Sequence, residues 1–139
     1  MKYRIEAITL PVSDIDRAKA FYQQANWRLD VDTEPAPGIR IVQFTPPGSE
    51  CSITFGMGMP QSEPGSYVAT YLVVSDIEEA HRDLTERGIP VGDIFHYGAD
   101  GEAPGPDPNR GEYGSYATFA DPDGNSWLVQ EVPSRAESE

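Results

Sequence analysis

The sequence predicts an α+β protein made of two copies of one module: a strand, a helix and a meander of strands. Two observations carry this. Val12-Ser13-Asp14-Ile15 returns as Val74-Ser75-Asp76-Ile77, 62 residues later. The second halves of the copies also match in kind: Phe44-Thr45-Pro46-Pro47-Gly48 before Cys51–Phe55 resembles Phe119–Gly124 before Trp127–Gln130. Each is a strand, a Pro/Gly turn and a strand. Self-similarity on this scale marks a tandem duplication. At 139 residues the chain is long enough for one domain with a real core, whereas either half alone is marginal, so the modules are expected to share a core. The expected boundaries are a single domain over 1–133, with module one at 3–56, a linker at 57–66 and module two at 67–132, then a polar tail at 133–139.

The first strand is expected over 3–10. Ser13 with Asp16, and Ser75 with Glu78, are spaced as capping boxes, in which the hydroxyl accepts from a free first-turn amide while the acid reaches back. They predict helices over 14–25 and 76–87. Ile15, Ala18, Phe21 and Tyr22 fall on one face of the first helix, and Ile77, Ala80 and Leu84 on one face of the second, which Gly88 stops. Residues 27–32 read as a second strand, 34–38 as a loop, and 40–45 with 51–55 as a hairpin. Residues 56–66 hold three Gly and two Pro without periodicity and predict a connection without structure of its own. The second module begins with a strand over 67–74 and continues with another over 91–97. The copies differ most at 98–114, a Gly/Pro-rich insert expected to be a binding loop or a plain excursion. Strands over 115–120 and 126–132 close the module.

Composition narrows the partners. A net charge of −13 opposes approach to nucleic-acid phosphates and anionic membranes, so neither is expected as a partner. Met1-Lys2-Tyr3-Arg4 leads straight into a strand with no apolar leader, and no stretch reaches a membrane span, which predicts a cytoplasmic protein. The one cysteine, Cys51, excludes an internal disulfide and reads as a small buried hydrophobe.

The duplication, the Val-Ser-Asp-Ile phrase and Phe119-Ala120-Asp121-Pro122-Asp123-Gly124-Asn125 before the last strand together resemble the vicinal oxygen chelate superfamily, the glyoxalase, bleomycin-resistance and extradiol-dioxygenase group. The resemblance covers about 3–132. It implies two βαβββ modules forming a curved mixed sheet around a concave cavity, with helices outside, and it implies a homodimer. Metal-using members carry His, Gln or Glu on the first and last strands of each module, holding a divalent ion that polarises vicinal oxygens. Those positions fall here on Ala7, Ala69 and Leu128, with Ser52 or Ile53 as the fourth according to a one-residue gap. None is a strong ligand, and a divalent ion needs about three or more protein donors, so no metal cofactor is expected. A rearranged site would have to draw on His96, Gln130 and Glu131.

With Ala7 and Leu128 facing the cavity, period two adds Ile5, Thr9, Ser126 and Gln130, with Tyr71 and Val73 beside Ala69. Ser52 and Thr54 join them in the gapped alignment. The expected ligand-binding set is therefore Ala7, Thr9, Ser52, Thr54, Ala69, Tyr71, His96, Tyr113, Tyr116, Leu128 and Gln130, a largely apolar lining with a few polar groups. His96, at the strand end that feeds the insert, is the candidate catalytic acid or base. Trp127 is expected to pack on a helix, and Glu131 to face solvent or pair near a subunit contact. Three functions are compatible with this pattern: metal-free binding of a small organic molecule, as in bleomycin-resistance members; a cofactor-independent isomerase or lyase using His96 or a tyrosine; and a metal-dependent lyase or dioxygenase with a rearranged site. The first is preferred.

Overall fold

Both copies of Val-Ser-Asp-Ile open a helix in the computed structural model, which describes residues 1–138; Val74 ends its strand, whereas Val12 follows a strand that stops at Thr9. In chain order the strands and helices are β1 (Ala7–Thr9), α1 (Ile15–Gln24), β2 (Arg28–Ala36), β3 (Ile39–Thr45), β4 (Ser52–Met57), β5 (Thr70–Val74), α2 (Ile77–Glu86), β6 (Phe95–Gly98), β7 (Gly101–Pro104), β8 (Ser115–Ala120) and β9 (Ser126–Glu131). A 3-10 helix, Pro133–Ser138, occupies what was expected to be a polar tail; Glu139 lies outside the described residues. The strands form two mixed sheets, ordered β1-β4-β3-β2 and β5-β9-β8-β6-β7. Two compact units result: Met1–Tyr67 with Asp121–Asn125, and Val68–Ala120 with Ser126 onward.

The helix caps fall one residue later than expected. Asp14 and Asp76, in extended conformation, cap α1 and α2: Asp14 accepts from Arg17 N–H, and Asp76 from the N–H groups of Glu78 and Glu79. A carboxylate there satisfies free amides and meets the positive end of the helix dipole. Ser13 instead donates from its hydroxyl to Asp123.

In the first unit α1 buries Ala18, Phe21 and Tyr22 against the sheet face that carries Val42, Phe44, Ile53 and Phe55. Tyr22 is the hub. Its ring lies 4.9 Å from Trp27 and 6.0 Å from both Phe44 and Phe55, and its hydroxyl donates to Asp121 at 2.9 Å. Asp121 also accepts from the backbone N–H groups of Asp123 and Asn125 and from Asn125 Nδ2, whose amide donates to Pro11 O as well. Every acceptor of this buried carboxylate thus faces a donor. The linker is held rather than free: Gln61 bonds both backbone groups of Val12, and Gly65 N–H donates to Pro11 O. Gly65 sits at φ 78°, and a Cβ there would lie 2.1 Å from Asp123 O, so only glycine fits.

In the second unit α2 covers the sheet face that holds Ala117, Phe119, Trp127 and Val129. Trp127, expected to pack on a helix, is buried on this face and stacks on Phe119 of β8, ring centroids 6.4 Å apart. The insert is a loop only in its second part. Its first part makes the β6–β7 hairpin, Phe95 opposite Pro104 through Gly98 opposite Gly101. Its second part is a tight turn in which Asp107 accepts from Asn109 and Gly111 N–H, bonds that hold its carboxyl below the usual range. The strand expected over 91–97 shrinks to Phe95–Gly98, with Val91 contributing an isolated bridge to Phe119. Other shifts are smaller: β1 begins at Ala7 rather than residue 3, leaving Ile5 72 % exposed, and Cys51 precedes β4 and is half-buried.

Candidate functional site

One face of each sheet meets its helix, and period two places the strand residues of the expected ligand-binding set, His96 apart, on the opposite face. In the first unit the parallel β1–β4 register sets Ala7 beside Ser52 and Thr9 beside Thr54, with Gln43 of β3 next in line. Ile8 and Ile53 take the core side. At the far edge of this face a polar chain runs inward from β2. Arg28 Nε donates to Asp30 at 2.6 Å, Thr45 Oγ1 bonds the other oxygen of Asp30, and Thr45 Oγ1 lies 2.6 Å from Ser52 Oγ. The Thr45 hydroxyl, followed by Arg28, holds the Asp30 carboxyl below the ordinary carboxylate range. Asp30 was not foreseen from sequence: it sits in a register shift between Leu29 and Val31, which reverses the alternation that would have assigned its side.

In the second unit Tyr71 pairs with Leu128 and Val73 with Gln130 across β5 and β9, while Tyr116 of β8 pairs with Gln130. This face is aromatic. Phe95 stacks on Tyr116 at 5.4 Å and Tyr97 meets the same ring at 5.5 Å. Tyr71 (60 %), Tyr97 (65 %) and Tyr113 (50 %) remain open to solvent. The Tyr113 carbonyl accepts from Tyr116 Oη at 2.7 Å and Gln130 Nε2 at 3.2 Å, so three expected site residues are tied together. Ala69 lies just before β5 with φ 55°, its N–H donating to Ser126 Oγ.

His96 does not join this group. Its strand partner is Ser115, which is fully buried, while Phe95 and Tyr97 on either side of it occupy the aromatic face. Its Nδ1 lies 2.7 Å from Gly105 O, which can only accept, so that nitrogen carries the hydrogen and the ring secures the turn after β7. The β6–β7 hairpin makes this difference: with the insert folded back as a strand, the imidazole faces its own turn.

Glu131 is the residue sequence reasoning misplaced most. It is fully buried, accepts from Ile77 N–H at 2.8 Å, and is clasped by Arg110, whose Nε lies 2.9 Å away; Arg110 also reaches Glu78 and Asp76. The Arg110 guanidinium holds the Glu131 carboxyl below its ordinary value against the opposing effect of burial. Arg110 (φ 46°) and Tyr113 (φ 63°) both occupy the left-handed region, and Tyr113 N–H donates to Glu131 O. The pair thus fixes the turn that delivers Tyr113.

The positions at which metal-using relatives carry ligands do not fit a divalent ion. Ala7, Ala69 and Leu128 have no donor atom, and Ser52 is engaged with Thr45. Of the rearranged set, Glu131 is committed to Arg110 and His96 to Gly105. Among the described residues no group of three or more His, Cys, Asp or Glu side chains is gathered to hold a metal, and no helix is long and apolar enough to cross a membrane. A groove of about 560 Å³ lies beside the start of α1, between Asp14, Glu34, Arg40, Met57 and Met59, but Arg40 there is already paired with Asp16 and Asp32.

Comparison with known proteins agrees with this architecture. The family model of the Glyoxalase/Bleomycin resistance protein/Dioxygenase superfamily matches residues 4–129. No curated protein matches. Among solved structures, the chain is similar to TnmS3, an antibiotic binding protein from Streptomyces sp. CB03234, at 28 % identity and TM-score 0.71, covering 94 % of this chain and 97 % of that one. A glyoxalase/bleomycin resistance protein from the same organism is 29 % identical with TM-score 0.68, covering 92 % and 100 %. A superfamily member from Sphaerobacter thermophilus DSM 20745 is 27 % identical with TM-score 0.70, covering 94 % and 98 %.

Proposed function

The chain belongs to the glyoxalase/bleomycin resistance protein/dioxygenase superfamily, and within it we propose a protein that binds a small, largely apolar or aromatic organic molecule without a metal ion. The observation that carries this reading is the aromatic face of the second unit, where Tyr97 and Tyr113 stay exposed beside the Phe95–Tyr116 stack and Tyr71 stays exposed on the same sheet. Exposed rings are costly in water and suit a flat ligand that stacks on them. The methyl groups at Ala7 and Ala69 support the metal-free part, because they offer nothing to an ion. Similarity to an antibiotic binding protein favours sequestration over turnover. The candidate ligand-binding residues of this proposal are Ala69, Tyr71, Tyr113, Tyr116, Leu128 and Gln130 on the second unit and Ala7, Thr9, Ser52 and Thr54 on the first. A cytoplasmic homodimer belongs to the same reading.

The test is a thermal-shift screen of small aromatics on protein purified without tag or chelator, with bound metal measured on the same sample. A ligand at about 100 times its dissociation constant is expected to add roughly 2.7 kcal/mol. Tyr71→Ala is expected to weaken it about tenfold, in line with the roughly 1.4 kcal/mol scale of an aromatic contact, without lowering stability. Stoichiometric zinc, iron or manganese, or consumption of the compound, would overturn the proposal.

A further inference from the structure

Three residues of the second unit other than glycine adopt the left-handed backbone region: Ala69 (φ 55°), Arg110 (φ 46°) and Tyr113 (φ 63°). Among the described residues of the first unit Asn26 alone does so, directly after α1, where asparagine is tolerated. An L side chain crowds its own backbone in that region, a cost that glycine escapes. At Arg110 the cost is offset by ion pairs with Glu131, Glu78 and Asp76. At Tyr113 burial does not offset it, because the residue is half open to solvent. Gly111 and Gly114 stand close by on either side, yet neither takes the left-handed position. Glycine is thus present in this turn, and the strained place is held by an aromatic ring.

The backbone of Tyr113 is also tied from several directions. Its N–H donates to Glu131 O at 2.9 Å, and its carbonyl accepts from Tyr116 Oη at 2.7 Å and Gln130 Nε2 at 3.2 Å. On the preceding residue, the Glu112 carboxylate accepts from both the N–H and the hydroxyl of Ser134. Tyr71 and Tyr97 differ, since they project from β5 and β6 without left-handed backbone. Strain held in place by many bonds beneath an exposed ring marks a side chain whose position matters more than the ease of its turn.

We infer that Tyr113 is the specificity-determining ring of the second unit, set in place before a ligand arrives, and that it selects planar aromatic molecules over saturated ones of the same connectivity. A fixed ring offers its full face to a flat partner and only part of it to a puckered one. The Tyr116 hydroxyl acts through Tyr113 O as a positioning group rather than as a ligand contact. The inference rests on the small-molecule reading above and adds which ring discriminates and in favour of what shape.

Two probes test it: 1-naphthol, which is flat, and decahydro-1-naphthol, its saturated counterpart. Both are titrated into the intact protein by ligand-observed NMR up to their solubility limits. 1-Naphthol is expected to bind about tenfold tighter, on the scale of one aromatic contact. Tyr113→Gly and Tyr113→Ala should bring the ratio to within about threefold, and Tyr113→Phe should restore most of it. Strain is read separately: Tyr113→Gly is expected to melt about 2–4 °C above Tyr113→Ala, because only glycine relieves it. Tyr116→Phe should weaken 1-naphthol about threefold, and that effect should vanish in the Tyr113→Gly background, as a direct contact would not. Parity of the two probes, a ratio untouched by Tyr113→Gly, a glycine variant no more stable than the alanine one, or a Tyr116→Phe effect that persists without the Tyr113 ring overturns the inference while the small-molecule reading stands. Failure of both probes to bind overturns that reading and the inference with it.

Discussion

The two units start from the same phrase and are anchored by opposite chemistry. In the first, the buried hub is a ring: Tyr22 among Trp27, Phe44 and Phe55, with one hydroxyl reaching Asp121. In the second, a carboxylate that is fully buried, Glu131, binds the start of α2 and is neutralised by Arg110. The comparison teaches that the repeated residues specify a strand turning into a helix, while what lies beneath the helix start is free to diverge. The charged anchor carries an added consequence, because Arg110 also fixes the turn that bears Tyr113. Stability and the aromatic face are linked in one unit in a way they are not in the other.

The largest expected effect is on the charged anchor. Arg110→Ala leaves the Glu131 carboxylate buried without its partner and is expected to cost about 3–5 kcal/mol, measured by urea denaturation followed by circular dichroism. A loss near zero would reduce the pair to a surface contact. Next comes acid. Because the native pKa of Glu131 lies below its ordinary 4.5, its contribution is complete above that value and is lost as pH falls through the depressed native pKa. Stability should therefore decline below about pH 4.5, and Glu131→Gln, though less stable at neutral pH, should show a shallower decline. In the first unit Tyr22→Phe keeps the ring cluster and removes only the donor to Asp121, for a loss of about 1–2 kcal/mol. Smallest is Ser13→Ala, at about 0.5 kcal/mol or a little more, since its bond to Asp123 is exposed. If Tyr22→Phe proved costlier than Arg110→Ala, the contrast between the two anchors would be reversed.

Much of the fold was legible because it is local. Ser-Asp before an apolar period marks both helix starts, although the carboxylates of Asp14 and Asp76 displace the serines as caps. Alternation along β9 assigned Trp127 to the core and Leu128 and Gln130 to the other face. The same alternation put Glu131 on the buried side, and its charge argued for solvent; nothing in a single strand indicates that Arg110, 21 residues earlier, supplies the counter-charge. His96 was misread for a related reason. Glycine and proline in 98–114 spoke for a loop, whereas Gly98 and Gly101 serve as the tight turn of a hairpin that redirects the imidazole toward Gly105. Asp30 was hidden by an irregular register that no period describes.

The most direct test of the account is a titration of the tightest ligand from the aromatic screen, performed on the same protein before and after exhaustive chelation. An unchanged dissociation constant, weakened by Tyr71→Ala, is the predicted result. Loss of binding on chelation, restored by one equivalent of a divalent ion, would contradict it.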